Sequence, residues 1–194
     1  MPEAEHETGR DGVMRIRRLL EGTMRFRLPY DAYISGSRAS LPMLVSGEKK
    51  QYDLQGNFFD DGDEPGPQIY VEVKSVKDAG NQASQFETFL AQAYSATLRA
   101  RKDLGDDPEN NFMWATTCPW KGTGFREVAS KEAIEAAVKA AGPKVLPPGH
   151  EVDAQTVEAL LDRFWVWVVS DRQEQMTLGR MMRSWVAAKR EEAK

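Results

Sequence analysis

Three charged residues, Asp53, Glu72 and Lys74, have types and a spacing that could support hydrolysis of a phosphodiester. Two carboxylates that converge can hold Mg²⁺ or Mn²⁺, because hard divalent cations prefer carboxylate oxygens and keep several bound waters. Such a cation polarises a phosphate and lowers the pKa of a bound water. A neighbouring ammonium group stabilises the negative charge that develops in the reaction. These three residues are therefore the candidate catalytic residues.

Glu72 and Lys74 lie in the stretch 69–76, where apolar and polar residues alternate. Ile69, Val71 and Val73 are aliphatic, and polar or aromatic residues stand between them. A period of two predicts a strand whose two faces differ. On such a strand Glu72 and Lys74 project to the same side, roughly 6 to 7 Å apart, so they can share one site.

Asp53 must reach this site from a preceding strand. Residues 51–59 alternate, and we expect Tyr52 and Leu54 to face one way and Asp53 the other. The intervening residues 60–67 are rich in Gly, Pro and Asp, which predicts a loop. Because two strands joined by such a loop form a hairpin, we expect Asp53 to lie beside Glu72.

A helix is expected after the central strand. Asn81 or Ser84 can cap it, and apolar residues at steps of three and four continue to about Arg101. Gln85 lies just inside this helix, either as a surface amide or as part of the site. The apolar run 112–116 predicts the next strand, and the order strand, helix, strand predicts that this strand is parallel to the first.

In chain order, Asp53, the segment Glu72-Val73-Lys74-Ser75 and the Gln-bearing helix resemble the PD-(D/E)XK, or restriction-endonuclease-like, nuclease superfamily. The resemblance covers residues 51–98, about a quarter of the chain. It implies an α/β fold with a restriction-endonuclease-like mixed central sheet flanked by helices. It also implies a metal-dependent nuclease, with DNA as the expected substrate and with endonucleolytic and exonucleolytic cleavage both open.

The resemblance further implies roles for individual residues. Asp53 and Glu72 would hold Mg²⁺ or Mn²⁺ together with the Val73 carbonyl, and Lys74 would be the catalytic lysine. Gln85 would be the polar residue that supports the site. Members of the superfamily often take one more acid from an N-terminal helix, and Glu21 is the best-placed candidate for this further metal ligand.

Other interpretations of the same residues stay open. The Glu-x-Lys pattern recurs at 48–50 and 192–194, so by itself it carries little information. Glu72 and Lys74 could instead form a solvated strand face with cross-strand ion pairs, which contribute little stability.

The chain as a whole also has alternatives to catalysis. It could be a noncatalytic nuclease-fold subunit that binds a larger protein through Trp120, the arginine-rich segment 10–38 or the last helix. It could form a homodimer, or it could bind nucleic acid without cleaving it. In this last case its affinity should fall steeply with added salt.

The composition is that of a globular protein. A length of 194 residues, 41% of them hydrophobic, suits one domain, and we expect a disordered tail over 1–11 and a single nuclease-like domain over 12–194. Cys118 is the one cysteine, so the reducing cytoplasm is the expected location. No apolar run approaches the roughly 18 to 20 residues of a membrane span. With only two histidines, a zinc site or a Ser-His-Asp triad has little material.

The C-terminal half supplies further predicted elements. Ser130 is expected to cap a helix over 131–141. The continuously apolar run 164–169 predicts a strand covered on both faces. Thr177 is expected to start a last helix, whose Met- and Trp-containing stripe would pack in the core or dock a partner.

Overall fold

The structure is a computed structural model that describes residues 2–23, 26–35, 38–44, 46–59, 65–75, 80–105, 109–118, 128–170 and 173. Of residues 2–8 and 23 it describes the backbone alone. Trp120 and the predicted helix that starts at Thr177 lie outside the described residues. No helix in the described part of the chain is long and apolar enough to cross a membrane.

The described elements alternate between helices and strands. The helices are α1 (Pro2–Thr23), α2 (Ala32–Ser35), α3 (Gln82–Leu104), α4 (Lys131–Ala141) and α5 (Ala154–Leu161), and a short 3₁₀ helix covers Gly142–Lys144. The strands are β1 (Phe26–Asp31), β2 (Ser40–Pro42), β3 (Lys49–Gln51), β4 (Leu54–Phe59), β5 (Pro65–Lys74), β6 (Asn111–Thr116) and β7 (Phe164–Val168).

Five of these strands form one mixed sheet in the order β1-β4-β5-β6-β7. β1, β4 and β5 pair antiparallel, whereas β5, β6 and β7 pair parallel. Helix α3 connects β5 to β6, because two consecutive parallel strands must be joined by a crossover connection. The predicted mixed α/β sheet and the parallel placement of residues 112–116 are therefore confirmed. A separate antiparallel ribbon consists of β2 and β3.

Helices cover both faces of this sheet. Val13, Ile16 and Leu20 recur at helical spacing in α1 and pack with the aliphatic face of β5 in one buried cluster. On the other face, residues of α3, α4 and α5 pack with Tyr70 and Trp114 in a second cluster. The alternation along β5 therefore sends Ile69, Val71 and Val73 toward α1 and leaves Glu72 and Lys74 on the other side.

The N-terminal segment is helical further than expected. The sequence assigned residues 1–11 to a disordered tail, whereas α1 begins at Pro2. Residues 9–11 are exposed, and the buried face of the helix starts at Gly12 and Val13. The division into a tail and a single domain stays a prediction.

The prediction of one continuous strand over residues 51–59 is wrong. The alternating run 51–59 is interrupted, since β3 ends at Gln51, the chain bends at Asp53 and β4 begins at Leu54. Tyr52 packs in the cluster under α3, whereas Leu54 packs in the cluster under α1, so the two side chains do not face the same way. The bend turns the carboxylate of Asp53 toward the backbone of Val73.

The C-terminal predictions are confirmed in part. Ser130 accepts a hydrogen bond from the Ala133 N–H at 3.2 Å and caps α4 as expected. Residues 164–168 of the apolar run 164–169 form β7. Trp165 is 46% exposed, so the expectation that both faces are covered is wrong for this residue.

Candidate active site

Asp53 is held at the point where the β4–β5 ladder ends. Leu54 pairs with Val71 in the last position of that ladder. Beyond it, the Asp53 Oδ2 accepts a hydrogen bond from the Val73 N–H at 2.7 Å, and its carbonyl accepts one from the Ala32 N–H at 3.0 Å. A side-chain carboxylate thus takes the place of a backbone acceptor, which puts Asp53 next to Glu72 along β5.

Glu72 accepts hydrogen bonds from two lysines. The Lys74 Nζ lies 2.9 Å from Oε1, and the Lys50 Nζ lies 2.7 Å from Oε2. Each ammonium also lies over an aromatic ring, Lys74 at 5.4 Å from the centre of Trp114 and Lys50 at 5.2 Å from the centre of Tyr52. We call Lys50, Asp53, Glu72 and Lys74 the charged cluster.

The electrostatics of the charged cluster show that the two carboxylates interact. Burial, and then the negative charge of Glu72, raise the pKa of Asp53 from 3.8 to about 6. The Val73 N–H and the ammonium groups of Lys74 and Lys50 act in the opposite direction. Because desolvation and the neighbouring carboxylate dominate, ionising Asp53 costs free energy in the folded protein.

The Val73 carbonyl is on the same side of β5 as Asp53. In a strand the N–H and C=O of one residue point to the same neighbour, and the Val73 N–H meets Asp53. The next carbonyl, that of Lys74, points the other way and accepts a hydrogen bond from the Thr117 N–H at 3.0 Å.

The residues of the charged cluster fit a divalent cation. Two carboxylates and one backbone carbonyl match the oxygen donors through which Mg²⁺ is commonly held, with waters completing its shell. A bound cation would also relieve the repulsion that raises the pKa of Asp53. Among the described residues, no group of three or more His, Cys, Asp or Glu could hold a metal.

Glu21 lies elsewhere, in contrast to its predicted role as a metal ligand. Its Oε1 accepts a hydrogen bond from the Leu28 N–H at 2.9 Å and contacts the Arg17 Nε at 3.5 Å. Glu21 therefore ties α1 to β1, and the structure does not assemble it with Asp53 and Glu72 into a three-acid group.

Gln82 and the predicted Gln85 make different contacts in the first turn of α3, and the supporting role of Gln85 stays a prediction. Gln85 donates to the Asn81 Oδ1 at 2.8 Å within the first turn of α3. Gln82 is buried, donates to the Cys118 carbonyl at 2.8 Å and accepts from the Thr116 Oγ1 at 2.7 Å. The sequence indicates that Gln82 is buried, because it lies four residues before Phe86 and therefore on the apolar stripe of the helix.

No pattern in the sequence predicts that Lys50 lies in the charged cluster. Lys50 ends the Glu-x-Lys pattern at residues 48–50, and this pattern by itself carries little information. In the structure the β2–β3 ribbon pairs Leu41 with Lys50 and brings the lysine to Glu72, 22 residues away in sequence. No local pattern reports a contact of this kind, because the register between separate segments decides it.

Comparisons with known proteins do not place the chain in a group. No protein-family model matches it, no curated protein matches it, and no solved structure matches it. The function that we propose therefore depends on the residues of the charged cluster.

Proposed function

We propose that this chain is a metal-dependent nuclease that hydrolyses phosphodiester bonds of nucleic acid, with DNA as the expected substrate. The observation that carries the proposal is the convergence of Asp53 and Glu72 with Lys74 at the end of β5. Two interacting carboxylates beside an ammonium group are the residues that this chemistry needs.

We also propose that the fold is restriction-endonuclease-like. The antiparallel pair β4–β5 is followed by α3 and by the parallel strand β6. This order supports the resemblance that the sequence motif suggests, because Asp53 immediately precedes β4 and the Glu72-Val73-Lys74 segment lies in the adjacent strand β5.

The proposed roles follow from the contacts of each residue. Asp53, Glu72 and the Val73 carbonyl would hold Mg²⁺ or Mn²⁺. When bound, the cation supplies a Lewis acid for the phosphate and a water of lowered pKa. Lys74, fixed between Glu72 and the ring of Trp114, orients the attacking water or stabilises the charge that develops on the phosphate. The Val73 N–H holds one oxygen of Asp53, which leaves the second oxygen available as a ligand.

The test is cleavage of linear double-stranded, circular and single-stranded DNA and of RNA by the purified chain, with Mg²⁺ or Mn²⁺. We expect cleavage by the wild type and a loss of about 10²-fold or more in Lys74→Ala and Glu72→Gln. Lys131→Ala is the matched control, because Lys131 forms an exposed ion pair with Glu158 and lies outside the charged cluster. Cutting of circular DNA would distinguish endonuclease from exonuclease activity.

The proposal fails if the wild type cleaves no substrate with either cation. It also fails if Lys74→Ala and Glu72→Gln cleave as well as the wild type, because the activity would then come from another site or from a contaminant.

A noncatalytic subunit that binds a larger protein is the second candidate. It is favoured by the observation that lysines occupy both oxygens of Glu72, as they would in a purely structural ion cluster. The two candidates differ in Mn²⁺ binding, which should depend on Asp53 and Glu72 in a nuclease and be absent in such a subunit.

A further inference from the structure

Lys50 has no role in the reaction as proposed above, although it is placed in the charged cluster as closely as Lys74. Its ammonium group contacts the Glu72 Oε2, and the two side chains are 18% and 12% exposed. By contrast, the Lys131–Glu158 pair on the surface has side chains that are 41% and 61% exposed. The Lys50 contact is therefore largely shielded from solvent, and it does not resemble a solvated surface pair.

The charged cluster contains more than a single ion pair. One ammonium would compensate Glu72, yet two different lysines each bind one of its oxygens. With Asp53 ionised, the cluster contains two positive and two negative groups. If the carboxylates also hold a divalent cation, the cluster becomes positive, which suits an anionic ligand such as a phosphodiester.

The way in which Lys50 is held lets its ammonium group move without moving the sheet. The backbone of Lys50 is fixed in the β2–β3 ribbon. Two residues later, Tyr52 donates its N–H to the Ala39 carbonyl at 2.9 Å. The ring of Tyr52 is fully buried and lies under the Lys50 ammonium. The flexible lysine stem can therefore exchange one acceptor near this ring for another by rotation about its own bonds.

We propose that Lys50 is a second substrate-contacting lysine. In the metal-free protein it holds the Glu72 Oε2, it yields this oxygen when a divalent cation binds, and it then contacts a nonbridging oxygen of the scissile phosphodiester. This inference rests on the proposed function. Lys50 forms no covalent bond and keeps its protons, while water adds to phosphorus and the P–O ester bond breaks.

The test compares Lys50→Met with Lys49→Met in two measurements. Lys49 is the matched control, because it is the preceding residue of β3 and its side chain is exposed. Calorimetric titration with Mn²⁺ reports on the competition for Glu72 without any substrate. Initial rates of DNA cleavage at saturating Mn²⁺ report on the contact with the phosphodiester.

We expect opposite signs in the two measurements. Lys50→Met should bind Mn²⁺ about tenfold more tightly, because a competing positive charge is removed from Glu72. The same variant should cleave DNA about 10²-fold more slowly at saturating Mn²⁺. Lys50→Arg should retain more of the activity than Lys50→Met, since it keeps the charge. Lys49→Met should match the wild type in both measurements.

Three results would overturn the inference. Unchanged cleavage by Lys50→Met would show that Lys50 does not contact the substrate, while the nuclease proposal would still stand. Weaker Mn²⁺ binding together with a lower melting temperature would assign Lys50 a structural role. Absence of cleavage by the wild type, with Mn²⁺ bound, would refute the proposed function and this inference together.

Discussion

Replacement of Asp53 by Asn tests whether the ionised Asp53 carboxylate lowers the stability of the folded protein. The pKa of Asp53 is raised from 3.8 to about 6, so the folded state disfavours the ionised carboxyl. One pKa unit corresponds to about 1.4 kcal/mol, which sets an upper bound of about 3 kcal/mol for this cost. Asn keeps an oxygen that can accept from the Val73 N–H, so the hydrogen bond can persist. In EDTA at pH 8 we expect Asp53→Asn to raise the free energy of unfolding by about 1 to 3 kcal/mol.

The pH dependence has a definite sign. Well below pH 4 the Asp53 carboxyl is protonated in both states, and its ionisation costs nothing. As the pH rises from about 4 to about 6, the unfolded chain releases the proton first, so the stability of the wild type falls relative to that of Asp53→Asn. Above the folded-state pKa of about 6 the difference between the two proteins is constant.

The assay is urea unfolding in EDTA at several values between pH 4 and pH 8. Asp153→Asn is a control in which the free energy of unfolding should change in the opposite direction, because hydrogen bonds from Thr156 lower the pKa of Asp153. This control should be less stable than the wild type by a nearly constant amount across this range, because the pKa of Asp153 lies below its ordinary value of 3.8. Added Mn²⁺ should stabilise the wild type and have little effect on Asp53→Asn. A destabilised Asp53→Asn at pH 8, or a difference that is flat across this range, would refute the reasoning.

Two further substitutions test the support of the site and the packing of its strands. Gln82→Ala should lower the free energy of unfolding by about 1 to 3 kcal/mol, because the buried Thr116 hydroxyl and the partly buried Cys118 carbonyl each lose a hydrogen bond, whereas Gln85→Ala should have little effect; equal losses in urea unfolding would contradict this expectation. Gly56→Ala should cost more than about 2 kcal/mol, since the added methyl group would overlap the Arg27 carbonyl. Gly47→Ala should cost less, roughly 1 to 2 kcal/mol, because its methyl group would enter open space and only the positive φ of 67° at this residue opposes a side chain; similar melting temperatures for both variants would count against this reasoning.

The central strand illustrates how much a local pattern can predict. The alternation predicted along residues 69–76 is confirmed from Ile69 to Lys74, where β5 has an aliphatic face and a face that carries Glu72 and Lys74. The Ser130 cap and the parallel strand at 112–116 were predictable for the same reason. The strand faces and the cap depend on residues a few positions apart. The parallel pairing depends on the helical crossover between two consecutive strands.

The bend at Asp53 illustrates where a local pattern fails. Alternation over 51–59 predicts an uninterrupted strand, but the Val73 N–H provides Asp53 with a hydrogen bond that competes with regular pairing. The same limit applies to the burial of Gln82 and Gln85. Both residues lie in the first turn of α3, and only the position of β6 decides which amide is buried.

The sequence by itself determined the mixed α/β class, the strand that carries Glu72 and Lys74, and the acid that meets them. These follow from periodicity, turn composition and one motif, all of which act over short distances along the chain. Only the tertiary structure decided that Lys50 completes the charged cluster and that Glu21 is directed to β1. Contacts between residues so far apart in sequence are set by strand register and helix packing, because these determine which side chains share the same space.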